Sequence, residues 1–156
     1  MQLLSALAAV HENFVLHRDL KQTNLLLDKN GVLKLCDFGF ACICGDEPQT
    51  REFGTPYYLA PEIVSAADAH RGYLGRPVDM WALGCTVYEL CALRPPFVAD
   101  SYPQLRRRIA AGRYDPLPAA FSPELGATLV GALLRAAPAR VRSFHDHSHS
   151  HGHSHD

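Results

Sequence analysis

Leu3, Leu4, Leu7, Val10 and His11 recur at the three- and four-residue spacing of one helical face, and no cap residue stands ahead of them. The spacing predicts an amphipathic helix that begins as though cut near its middle. Val15 and Leu16 then predict a short strand, residues 17–24 a polar loop, and Leu25, Leu26 and Leu27 a buried strand. Asn30-Gly31 is a hairpin-turn signal, because both residues tolerate positive φ, and residues 32–36 return as the second strand. The polar loop and the tripeptide Asp37-Phe38-Gly39 are thereby held at the two ends of one hairpin. Residues 40–59 show little periodicity and read as a surface loop. Pro77 opens a run, residues 78–92, that is apolar on nearly every face apart from Asp79 and Glu89. That predicts a helix buried all round with proline in its first turn. Arg94-Pro95-Pro96-Phe97 breaks the chain before a basic helix carrying Arg106, Arg107 and Arg108, and a last helix is expected over residues 123–135. The arginine triplet reads as a solvated face in preference to a docking patch.

The 156 residues, 47% of them hydrophobic, suffice for one globular unit with a core, and a formal net charge of -1 gives no electrostatic basis for a nucleic-acid partner. No run of about 18 apolar residues and no charged-then-apolar leader occurs, so neither a membrane span nor a secretory signal is expected. Intracellular, cytoplasmic placement follows as the expectation. The odd set Cys36, Cys42, Cys44, Cys85 and Cys91 lacks the C-x-x-C spacing of zinc or redox sites, which predicts reduced thiols.

After residue 142 the composition changes abruptly. Residues 143–156 hold six histidines, His145 through His155 at every second position, with Phe144 as the one apolar side chain. A disordered tail is expected, and neutral imidazoles so arranged bind zinc, nickel or copper adventitiously in vitro. A biological metal function, a purification tag and translated non-coding sequence remain open for it.

Three signals stand in order along the chain: His17-Arg18-Asp19-Leu20-Lys21-Gln22-Thr23-Asn24, then Asp37-Phe38-Gly39, then Ala60-Pro61-Glu62. Together they resemble the catalytic half of a protein kinase, over about residues 3–138, and most closely the serine/threonine branch. The resemblance implies an α+β fold, mainly α-helical: a kinase large lobe with a small β-hairpin at the catalytic loop, over residues 1–142. The small lobe is missing from this expectation, since no Gly-x-Gly-x-x-Gly occurs and no phosphate-gripping lysine with its helix glutamate precedes the loop.

Phosphoryl transfer to a hydroxyl needs a carboxylate near the attacking oxygen, divalent metal against the triphosphate, and a cation at the transferring group. By residue-to-residue match, Asp19 looks like the catalytic base, Lys21 like the cation on the γ-phosphate, and Asn24 and Asp37 like the holders of magnesium, with ATP and Mg2+ the implied cofactors. The rival role for Asp19 is a loop aspartate capping backbone amides. Thr55, in Phe53-Gly54-Thr55-Pro56, is placed by the resemblance to bond the base and shape the substrate pocket, and with Lys21 it points to serine or threonine as acceptor. Arg18 would pair with a phosphate on the activation segment, and Thr50 is the candidate acceptor for an activating kinase, against a plain loop threonine. Thr50 stands one residue before the commonest family position, which holds Arg51. The resemblance gives His17 and Phe38 packing roles beside Gly39. It makes Asp79 an acceptor for catalytic-loop amides, and Glu62 half of an ion pair with a late arginine.

That late arginine is a point of departure, since Val141 occupies the aligned position between Arg140 and Arg142. A small insertion relative to the family is expected over residues 65–73. Cys36, just ahead of Asp37, would line the nucleotide pocket but reads first as a small buried hydrophobe. The implied function is ATP-dependent phosphorylation of serine or threonine in protein substrates by a parent protein, with the 156 residues inactive alone. The alternative is a non-catalytic kinase-like interaction module.

Overall fold

The computed structural model describes residues 2–43, 49, 51–65 and 73–135. Thr50, most of the expected insertion, Arg140, Val141, Arg142 and the histidine-rich tail lie outside them. Helix α1 (Gln2–Glu12) is followed by strand β1 (Val15–Leu16), a 3-10 turn (Gln22–Asn24), β2 (Leu25–Leu27), β3 (Leu33–Leu35) and β4 (Cys42–Ile43). A second 3-10 turn (Pro56–Tyr58) leads to α2 (Pro61–Val64), α3 (Gly75–Ala92) and α4 (Tyr102–Ala111). A π-helical turn (Leu125–Val130) runs into α5 (Gly131–Leu133). The result is a helix-rich α+β fold with two small antiparallel pairs, β1 with β4 and β2 with β3.

Helix α3 is the centre of the core. Trp81, Leu83, Cys85, Thr86 and Tyr88 are all but inaccessible, and the Trp81 ring stacks on Phe97 with centroids 5.6 Å apart. Phe97 and Tyr88 each meet Tyr114 edge-on, so the chain beyond α3 folds back along its length. Gly84 permits a close approach of the last helix: a Cβ there would stand 2.7 Å from Leu133 Cβ. The helix begins at Gly75, two residues ahead of Pro77, and is not buried all round. Its C-terminal end emerges, with Leu90 and Leu93 exposed. The two polar residues that interrupt its apolar run, Asp79 and Glu89, are themselves buried.

The expectation of a buried leucine strand fails. Leu25 packs against the core, but Leu26 and Leu27 are 54% and 71% exposed, because none of the described residues covers them on this two-stranded ribbon of three-residue strands. The return strand is shorter than residues 32–36: Val32 belongs to the turn, where Asp28 Oδ1 accepts from the amides of Asn30 and Val32. Gly31, at φ +75°, closes that turn as the Asn-Gly signal predicts. The stretch 40–59, expected as a surface loop, ends differently, with Tyr58 and Leu59 in the core.

The last helix carries π rather than α bonding over Leu125–Val130, for which the sequence gives no evident cause. The arginine triplet is only partly a solvated face. Arg106, half-buried, donates through Nε and one terminal nitrogen to the Val64 carbonyl, whereas Arg107 and Arg108 are exposed, Arg108 still donating to the Val98 carbonyl at 2.6 Å.

Candidate active site

The polar loop after β1 is held from below by one buried carboxylate. Asp79, on the second turn of α3 and fully buried, accepts from the His17 amide at 2.9 Å, the Arg18 amide at 2.8 Å and His11 Nε2 at 2.8 Å. Two consecutive amides pointing at one carboxylate require an unusual backbone, and Arg18 supplies it at φ +64°. His17 then fixes the next residue. The Asp19 amide donates to His17 Nδ1 at 3.3 Å, which leaves Nε2 as the protonated nitrogen, donating to the Cys36 carbonyl at 3.1 Å. The loop is thereby tied both to α3 and to the end of the hairpin.

Above this foundation the Asp19 carboxylate is gripped from two sides. Oδ1 accepts from the Thr55 amide at 3.0 Å and the Thr55 hydroxyl at 2.7 Å, and Oδ2 accepts from Lys21 Nζ at 2.7 Å. Lys21 Nζ also donates to the Thr55 hydroxyl oxygen at 3.0 Å, closing a triangle of three side chains. Burial by itself would raise the Asp19 pKa. The Lys21 and Thr55 bonds more than offset it, so the carboxyl sits below its ordinary value and is ionised at neutral pH. Asn24 Nδ2 donates to the Asp19 carbonyl at 2.9 Å, and the Cys36 amide donates to the Asn24 carbonyl at 3.0 Å. Asp37 follows directly, exposed, at φ +63°, its Oδ1 accepting from the Gly39 amide at 3.2 Å. Phe38 turns its ring towards His17, with centroids 4.9 Å apart.

The family description of the protein kinase domain matches residues 1–144. The chain belongs to the protein kinase domain family. Its relatives include a probable serine/threonine-protein kinase nek2 of Dictyostelium discoideum, 41% identical over 129 residues that cover 80% of this chain and 30% of the relative. Serine/threonine-protein kinase Nek5 of Mus musculus is 40% identical over 141 residues, 88% of this chain and 22% of the relative. The phosphorylase b kinase gamma catalytic chain, liver/testis isoform, of Bos taurus is 44% identical over 115 residues, 72% of this chain and 28% of the relative. The chain thus spans less than a third of the length of each of these relatives.

Of the kinase-motif residues, the structure brings Asp19, Lys21 and Thr55 into direct contact and links Asn24 and His17 to them through the loop backbone. Glu62 lies apart in the first turn of α2, half-buried, and the arginines expected near it are not among the described residues. Cys36 is half-buried with its thiol against the Asn24 carbonyl at 3.3 Å, so the reading of it as a buried hydrophobe holds in part. No helix among the described residues is long and apolar enough to cross a membrane.

Sequence reasoning missed a second bridge between the same loops. Glu89, buried on α3, accepts from Gln22 Nε2 at 2.9 Å through Oε1 and from the Tyr58 hydroxyl through Oε2. It joins the 3-10 turn that ends in Asn24 to the one that follows Thr55. The signal was present as a lone glutamate in an apolar helix, since a carboxylate there must find donors. Burial, with the Glu89 bond next in weight, pushes the Tyr58 phenol well above its ordinary pKa. A phenol whose folded-state pKa is raised stabilises the fold fully below its unfolded value, near pH 10, and loses that contribution as pH climbs towards the folded value. Urea unfolding should therefore show Tyr58→Phe less stable than the natural chain by about 1–3 kcal/mol at pH 7. The difference should shrink above about pH 10, and a pH-independent gap would contradict the assignment.

Proposed function

We propose that this chain is the large-lobe part of a serine/threonine protein kinase catalytic domain, residues 1–142, acting in a longer parent protein on serine or threonine hydroxyls of protein substrates. The observation that carries this reading is the Asp19–Lys21–Thr55 triangle, an ionised carboxylate oriented by a cation and by a hydroxyl from the segment that precedes α2.

Asp19 acts as the base that receives and orients the acceptor hydroxyl. A carboxylate has about four lone-pair positions. Three donors on Asp19 leave room for the substrate, while fixing the direction in which it is met. Lys21, poised between Asp19 and Thr55, meets the charge that develops on the transferred group. ATP with magnesium supplies the phosphoryl group and neutralises the triphosphate when bound. Asn24 and Asp37 are suited to hold that magnesium. They offer hard oxygen donors at the two ends of the β2–β3 hairpin, and Asp37 is exposed. Among the described residues no cluster of three His, Cys, Asp or Glu side chains forms a protein-only metal cage, and magnesium bound with phosphates and water needs none. His17, Phe38, Gly39, Glu62 and Asp79 serve as structural supports, and Arg18 with Thr50 as the regulatory pair.

Leu26 and Leu27 on the hairpin and Phe38 just beyond it are exposed, and a small lobe would sit over them. The glycine-rich loop and lysine that clamp the triphosphate are not in these 156 residues. Because positioning supplies most of the rate in phosphoryl transfer, the 156-residue chain assayed alone should incorporate no phosphate above background. The same chain joined to a small lobe should do so in a magnesium-dependent way. Robust transfer by the chain alone would contradict this division of labour.

A further inference from the structure

The Arg18 side chain touches both flanks of the segment that follows Gly39. Its Nε donates to the Phe40 carbonyl at 2.6 Å, and its guanidinium carbon lies 4.1 Å from the centre of the Phe53 ring. The Phe40 and Phe53 rings are themselves 6.3 Å apart. The Arg18 backbone cannot shift to follow, because Asp79 holds its amide and its φ is positive. Immediately after Phe53 the chain crosses it closely. Gly54 has φ +109°, and a Cβ on it would stand 2.7 Å from the Arg18 carbonyl oxygen. The next residue is Thr55, which delivers its amide and hydroxyl to Asp19.

Among the described residues the Arg18 side chain pairs with no carboxylate, so a carbonyl and an aromatic face are what hold it. A guanidinium over a ring is attracted by the ring quadrupole, which an aliphatic side chain of similar volume lacks. The neighbouring acid is drawn elsewhere: Glu52 accepts from the Tyr102 hydroxyl and lies 4.0 Å from Arg106.

We propose that Phe53 is a positioning residue, whose ring on the Arg18 guanidinium presses Gly54-Thr55 against the catalytic loop and so sets the Thr55–Asp19 contact. The inference rests on the kinase reading for its importance, since Asp19 and Thr55 are the working pair there. The contact itself is measurable without catalysis.

Nuclear magnetic resonance on the 156-residue chain tests it through two readouts. The Arg18 side-chain protons should be shifted upfield by the Phe53 ring, and Phe53→Leu should abolish the shift. Exchange of the Thr55 amide should rise about fivefold in Phe53→Leu, while amides inside α3 keep their rates. Phe53→Tyr, which keeps the ring, should restore both. Phe53→Met serves in the same way should the leucine variant not fold. Unshifted Arg18 protons in the natural chain would overturn the proposal, as would a Thr55 amide unchanged by Phe53→Leu. Equal acceleration of the α3 amides would also overturn it, because the ring would then be ordinary core. Since no phosphate transfer is measured, these outcomes leave the kinase reading to its own test.

Discussion

Asp79→Ala is expected to destabilise the chain by about 3–5 kcal/mol and to release the catalytic loop from α3. The carboxylate is fully buried and accepts from two consecutive backbone amides and from His11, so alanine removes the acceptor of one buried and two part-buried donors. An orphaned buried donor costs about 1–3 kcal/mol, and a domain of this size has about 5–15 kcal/mol in all. Arg18 compounds the loss, because its positive φ is sustained by the bond to Asp79. Asp79→Asn keeps one acceptor oxygen but turns an NH2 group towards donors, so it should recover only part of the stability. Urea unfolding measures the cost, and hydrogen exchange at the His17 and Arg18 amides shows whether it falls on the loop. A change within about 0.5 kcal/mol, the range of an ordinary surface substitution, would mean that other contacts hold the loop.

Asp19→Asn is expected to lower the rate of phosphate transfer by roughly 10²–10⁴ in the chain joined to a small lobe, the range typical of a lost general base. The fold should survive, since asparagine preserves an acceptor for the Thr55 amide and hydroxyl. What is lost is the charge that Lys21 faces at 2.7 Å and the capacity to take a proton. Lys21→Ala should act on the same step and not add fully to Asp19→Asn, as the two side chains are in one contact network. Full additivity in a double-variant cycle would separate them.

Much of the site was legible because kinase chemistry is concentrated in short contiguous motifs. Asp19, Lys21 and Asn24 lie within six residues, and the hairpin that separates them from Asp37 is marked by Asn30-Gly31. Thr55 and Asp79 were placed by their motif positions, and in the fold Thr55 bonds to Asp19 and Asp79 to the His17 and Arg18 amides. Less visible were interactions between residues with no chemical label. Glu89, Gln22 and Tyr58 are a helix glutamate, a loop amide and a phenol in sequence, and only folding brings them together. The leucine run of β2 misled for a related reason: three apolar residues signal burial only when something covers both faces. Arg106 was read as solvated, yet the end of α2 lies within its reach and offers it the Val64 carbonyl.

The most direct test of the account is the identity of the phosphorylated residue. The chain, joined to a kinase small lobe and supplied with ATP, magnesium and a mixed protein substrate, should yield phosphoserine and phosphothreonine, with the product lost in Asp19→Asn and on removal of magnesium. Phosphotyrosine as the main product would contradict the assignment from Lys21 and Thr55, and transfer undiminished by Asp19→Asn would contradict the role of the triangle itself.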